Sequence, residues 1–156
     1  MATFGTFVAG QVLTAAELNT AGAWNDYTPS WTQSATITKT VNWARYTQLG
    51  KWVQVSIKMT ASSAGTANNK ILVGLPVSAS SNNFLMGILT RGSNDPNFAS
   101  GSFAVYDSAT TVAFGVSGTT NTPAGVYRLG QYDTSNNGLT IASGSIFQIM
   151  LSYEAA

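Results

Sequence analysis

Residues 51–60 read KWVQVSIKMT. Val53, Val55, Ile57 and Met59 fall at every second position, with Trp52, Gln54, Ser56 and Lys58 between them. Side chains of a strand point alternately to its two faces, so the stretch presents four apolar groups on one side and a polar side with one tryptophan on the other. A half-buried antiparallel strand meets that description, whereas a helix would scatter the same residues around its surface. WARYTQ, just before it, reads as a second strand. Leu49-Gly50 between them reads as a tight hairpin turn, the glycine supplying backbone angles that other residues avoid.

The same signal recurs along the chain. TITKTV, KILVGL, FLMGILT, GSFAVYD, TVAFGV, VYRLGQY, LTIA and SIFQIMLSY are further strand candidates, separated by the turn-rich pieces SASSNN, GSNDPN, SGTTNTPAG and DTSNNG. Many short strands at nearly even spacing predict an all-β fold, an antiparallel β-sandwich that is jelly-roll-like. Residues 27–156 are expected to form this one domain, with no repeat period, heptad run or low-complexity tail.

Residues 1–26 read differently. Thr14 and Glu17 have the spacing of a capping box, in which each side chain satisfies the other's backbone N–H. Leu13 and Leu18 form a hydrophobic staple, and Gly22 is placed to end the helix in a left-handed conformation. The resulting short N-terminal helix of about two turns is well below the ~12–15 residues that are marginally stable alone. It must therefore dock. Phe4, Phe7, Val12, Leu13, Leu18 and Trp24 would form an apolar foot, packing either on symmetry-related copies or another assembly partner, or over one open end of their own sandwich; the foot is the reading adopted.

Composition excludes much chemistry. The chain has no cysteine and no histidine, so disulfides, thiol nucleophiles, imidazole bases and the usual zinc ligands are absent. Charged residues make up 8% of it, against about 25% in an average protein. Seven Lys and Arg against six Asp and Glu leave a net charge of +1, and the cations stand singly, so no nucleic-acid partner is expected. MATFGTFVAG lacks a basic start and an unbroken apolar run, and stretches such as ILVGLPV are far short of the ~20 residues of a membrane span. The expectation is a protein made without a signal peptide and without membrane insertion.

FVAGQVLTAAELNTA, followed by a W..YTP.W step, ARYTQLGKWVQVSIKMT and a later GLPV, resembles a group of small tailed-bacteriophage virion proteins. These begin with a short helix of this kind and continue as a β-sandwich on the particle surface. The resemblance is closest through the first half of the chain. It implies a virion structural protein, a homotrimer in contact with other virion proteins. Tail fibres, minor tail proteins of a receptor-binding kind and head-surface proteins share the motif, so the position on the particle stays open between a tail component touching a host-surface glycan and a capsid decoration protein.

The same residues bear on other functions. Asp95, Asp107 and Asp133 lie in or beside loops where a glycosidase pair is conceivable, but Asp is also ordinary turn chemistry, which is the reading adopted; no enzyme activity is expected. No calcium loop pattern occurs, and no metal or cofactor is expected. Trp31, Trp43, Trp52, Tyr106, Tyr127 and Tyr132 could offer flat faces to sugar rings, as in a carbohydrate-binding module. Trp52, opposite the apolar face of its strand, is either such a platform beside Arg45 or Lys58, or an anchor against a neighbouring copy, the role adopted here.

Overall fold

The structure, a computed structural model, describes residues 10, 12, 14–15, 22–66, 69–80, 86–89, 102–116 and 141–156. Among the described residues the strands are, in chain order, β1 (Asn25–Asp26), β2 (Trp31–Gln33), β3 (Ala35–Thr36), β4 (Lys39–Leu49), β5 (Trp52–Ala61), β6 (Ile71–Gly74), β7 (Met86–Leu89), β8 (Ser102–Ser108), β9 (Thr111–Val116) and β10 (Ile146–Glu154). They hydrogen-bond in the order β1-β4-β5-β10-β7-β8-β9-β6-β2-β3, and every pair is antiparallel.

Three of those pairs are nested: β5 with β10, β6 with β9, and β7 with β8. Laid flat, they would be successive rungs of one long ribbon. Because β7 also pairs with β10, the ribbon is rolled, which is how a jelly roll is wound. Rolling folds the ladder into two layers. β2 and β10 are far apart in the ladder, yet Trp31 lies against Phe147 with ring centroids 5.2 Å apart. Val53, Val55, Ile57 and Met59 of β5 and Phe147, Ile149 and Leu151 of β10 share one core with Trp31, Ile71, Val73 and Val112 of the facing strands. The fold is thus the antiparallel β-sandwich that the alternation predicts.

Local differences from the sequence reading have identifiable causes. TITKTV and WARYTQ do not form two separate strands. Thr36 ends β3, and β4 is continuous from Lys39 to Leu49 with a bulge between Val41 and Trp43. The extra residue shifts the alternation, so Val41 and Ala44, three apart, pair with the inward-facing Met59 and Ile57. That phase change is what makes one strand look like two. The hairpin turn falls one residue later than expected: Leu49 pairs with Trp52, leaving Gly50-Lys51 as the loop, and φ is positive (59°) at Gly50 alone of these two, as in a type II′ turn.

Ile141 and Ala142, the described part of LTIA, are not in a strand. Ile141 is buried, and its N–H donates to Gln33 Oε1 at 3.0 Å while its carbonyl accepts from the Gly65 N–H at 2.7 Å. A side chain has replaced the ladder partner. Gln33 is itself fully buried and donates through Nε2 to the Asn69 carbonyl at 3.3 Å, so one amide joins β2 to two loops. Gly65 runs so close to it that a Cβ there would collide with the Gln33 side chain.

The expected strand VYRLGQY lies outside the described residues, as does the expected N-terminal helix apart from Thr14 and Ala15. Gly22 has the left-handed backbone (φ 71°) suited to a helix end. Asn25 and Asp26 pair with Tyr46 and Arg45, so the last residues of the apolar lead are already part of the sheet. Among the described residues no helix is long and apolar enough to cross a membrane, and no three acidic, histidine or cysteine side chains form a metal-binding group.

Candidate functional site

The ladder register assigns the outer face of β4, β5 and β10 row by row. Trp43, Lys58 and Gln148 form one row; Arg45, Ser56 and Met150 the next; then Thr47, Gln54 and Ser152; and finally Leu49, Trp52 and Glu154 beside the hairpin turn. Rows two residues apart in a strand are about 6.8 Å apart, so the four span roughly 20 Å. Trp24, just ahead of β1, adds to this face.

Large apolar groups collect here. Trp24 is 43% exposed, Trp43 38% and Trp52 48%, and Leu49 and Met150 are more than half exposed. Isolated exposed hydrophobics need no explanation, but three tryptophans over one sheet layer form a patch of the kind that marks an interaction surface. Between them the face is neutral and polar, with Gln54, Ser56, Gln148 and Ser152.

The two cations of the face are ordered by its tryptophans. Arg45 Cζ lies 5.0 Å from the centroid of Trp24, and Lys58 Nζ lies 5.0 Å from that of Trp43. Each is held by the negative face of an indole. Trp43 is fixed in turn by its indole N–H, which donates to Ser56 Oγ at 3.3 Å. The ion pair found among the described residues is elsewhere, Lys70 with Asp107 at 3.0 Å; neither Arg45 nor Lys58 forms one among those residues, although Asp26 of β1 lies opposite Arg45 in the ladder.

Beneath the face, toward the hairpin end, the sandwich holds tyrosines. Tyr27 meets Tyr46 edge to face at 5.9 Å. Burial, and secondarily the neighbouring Tyr153, raises the Tyr27 phenol far above its ordinary range. Burial pushes Tyr153 up to about 12, with the nearby Tyr46 adding to the shift and a hydrogen bond at Val77 opposing it. Its hydroxyl donates to the Val77 carbonyl at 2.7 Å. Both phenols are therefore neutral at physiological pH, and the cations outside are not balanced by a phenolate within.

The sequence-level candidates fall as follows. Trp24 covers Arg45 from the edge of the sheet, and Val12 and Thr14 are exposed. Phe4, Phe7, Leu13, Glu17 and Leu18 lie outside the described residues. Trp52 is exposed as expected of an outward residue, but its ladder partners are Leu49 and Glu154; Arg45 and Lys58 are associated with Trp24 and Trp43 instead. Trp31 is not a surface platform at all. It is 0% exposed, because β2 turns it into the core against Phe147. Tyr106 is half-buried, and Tyr127 and Tyr132 are outside the described residues. Asp107 is held by Lys70 and by the Thr111 hydroxyl at 3.2 Å beside the β8–β9 turn, while Asp95 and Asp133 are outside the described residues.

The cation–tryptophan pairs were not read from the sequence, although part of the signal is there. Trp43 and Arg45 are two apart in WAR and so share a strand face. What spacing does not give is the register that sets Lys58 opposite Trp43, or the path that brings Trp24 back over Arg45. Compared with protein-family models, curated proteins and solved structures, the chain matches none.

Proposed function

We propose that this chain is a non-enzymatic structural protein of a bacteriophage particle, displayed on the particle surface as a homo-oligomer of the minor-tail or tail-fibre type. The observation that carries the reading is the outer face of β4, β5 and β10, where Trp24, Trp43, Trp52, Leu49 and Met150 remain exposed on a chain with few charges. The resemblance of LTAAELN and ARYTQLGKWVQVSIKMT to small virion proteins supplies the particle and the trimer. In this reading the N-terminal apolar residues attach the protein and join its copies, Leu49 and Trp52 at the hairpin end extend the contact between copies, and the rest of the outer face is turned to the host.

Gold-labelled antibody against the protein tests the assignment on particles of the phage that encodes it. Label at the tail is expected. Label over the head would make the protein a capsid decoration protein, and unlabelled particles would remove it from the virion. Assembly has its own test: Leu13→Asp with Leu18→Asp should leave the β-type circular dichroism in place while light scattering falls to the 16.3 kDa of a single chain. Loss of the β signal together with assembly would instead make these leucines part of the sandwich core.

A second reading, a carbohydrate-binding module, is favoured by one specific observation: the exposed indoles are interleaved with the neutral hydrogen-bonding side chains Gln54, Ser56 and Gln148. It is compatible with the first if the sugar is the host-surface receptor.

A further inference from the structure

We infer that the cation–tryptophan end of the outer face is a binding site for an acidic polysaccharide, one whose sugar rings carry carboxylates. The inference rests on the reading of this face as the one turned to the host, and it names the chemistry of what is bound there.

Four side chains carry it. Arg45 and Lys58 sit on adjacent strands as diagonal neighbours, which places their backbones about 7–8 Å apart. Trp24 and Trp43 lie beneath or beside them, each ring 5.0 Å from its cation. Stacking restricts long side chains that would otherwise lose rotamer freedom on binding, so part of the entropic cost is met before any ligand arrives. Neither cation is ion-paired among the described residues, although Asp26 of β1 lies opposite Arg45, and the tyrosines behind the sheet are neutral. Lys58 has only Trp43 and Gln148 in its row and no carboxylate beside it among the described residues, so the positive charge of the site is only partly offset, by Asp26 next to Arg45.

The ligand must supply anions and also suit the partly exposed indoles. A sugar ring has C–H faces that pack on an aromatic ring and hydroxyl edges that hydrogen-bond, here to groups such as Ser56 and Gln148 in the same two rows. A ring carboxylate would meet the Arg45 guanidinium, which suits a carboxylate in two-bonded geometry. Nucleic acid is the poorer fit: it demands a row of phosphate contacts, and the face offers two cations on a chain of net charge +1. An uncharged glycan would leave both cations unused.

The test is calorimetric titration of the full chain with oligosaccharides of polygalacturonate, polysialic acid and hyaluronate. Methyl-esterified polygalacturonate serves as a control that keeps the rings and removes the charge. At least one free acid is expected to bind, with its neutral ester weaker by about tenfold or more, as befits a charge-assisted contact. Binding should weaken as salt rises from about 0.05 M to about 0.5 M. Arg45→Gln with Lys58→Gln should remove the preference for the free acid, and Trp24→Ala should weaken binding of acid and ester alike. Lys70→Gln, a cation paired with Asp107 away from this face, should leave both unchanged.

No binding of any acid at millimolar concentration, equal binding of acid and ester, or displacement of the glycan by an equal concentration of oligothymidylate would each overturn the inference. So would a rise in mass without sugar uptake, which would assign the patch to a second copy of the chain. Particle labelling by antibody is independent of all these outcomes. A labelled tail with no acidic-glycan binding therefore removes this inference and leaves the virion assignment standing.

Discussion

On the inner face of β5, Val53, Val55, Ile57 and Met59 are fully buried; on its outer face Trp52 is about half exposed and Lys58 lies over a tryptophan of the next strand. The two tryptophans Trp31 and Trp43 repeat the contrast: one is enclosed against Phe147, the other is open to solvent and carries a cation. Burial removes apolar surface from water, worth about 25 cal/mol per Å², and so makes the inner set the source of stability. The outer set keeps much of its surface wet in the folded and the unfolded chain alike. Its apolar groups contribute correspondingly less to folding, which leaves them free to serve contact with a partner.

The inner face should break first and hardest. Trp31→Ala empties a fully enclosed site and is expected to cost about 3–5 kcal/mol, a large part of the ~5–15 kcal/mol that holds a typical domain together. Urea unfolding reads it directly. A loss under about 1 kcal/mol would mean that the two layers do not depend on this contact.

Next in size is the buried amide. Gln33→Leu removes the donor to the Asn69 carbonyl and the acceptor for the Ile141 N–H, leaving that buried N–H without the Gln33 acceptor at a cost of about 1–3 kcal/mol. Faster amide exchange at Ile141 should accompany it. Unchanged exchange there would show that the backbone of the Ile141 segment does not rely on Gln33.

Alkaline pH sharpens the comparison from the inside. Tyr153 is pushed up to about 12 and Tyr27 is raised in the same direction, both chiefly by burial. An unfolded tyrosine ionises near ~10, so between that pH and the folded value the unfolded chain holds fewer protons and is favoured. The tyrosine contribution to stability is therefore complete below about pH 10 and lost as pH rises through the folded values. Ultraviolet titration of the phenols should show two that ionise only with unfolding; if every tyrosine in the chain ionised near pH 10, the interior would be open to water at this end.

The outer face should respond least. Trp43→Ala and Trp52→Ala each are expected to change stability by no more than about 1 kcal/mol, because only a partly exposed ring and, for Trp43, one cation contact and one exposed hydrogen bond to Ser56 are lost. A fall matching that of Trp31→Ala would erase the distinction between the faces.

How far the contrast was legible in the sequence depends on the reach of the signal. The alternation of residues 51–60 gave both faces of β5, because a period of two is a property of a single strand. The hairpin came within one residue for the same local reason. Val41 and Ala44 defeated the reading of β4, since a bulge changes the phase in mid-strand and spacing cannot say that the strand continues. Trp31 and Trp43 have the same side chain, and only the roll of the sheet encloses one of them. Gln33 reads as a polar residue among others; its partners at Asn69 and Ile141 are brought to it by the fold. The candidate site was half legible in this sense: Trp52 could be called outward, but the pairing of Arg45 with Trp24 and of Lys58 with Trp43 is set across strands.

The division between a stabilising inner face and a contacting outer face is tested most directly by adsorption to host cells of phage particles carrying Trp43→Ala, Arg45→Gln and Lys58→Gln together, with the urea midpoint of the purified triple variant measured alongside. The expected result is a folded protein that still reaches the particle, a midpoint close to that of the unaltered chain, and particles that no longer adsorb. Particles that adsorb normally, or a triple variant that unfolds as readily as Trp31→Ala, would contradict it.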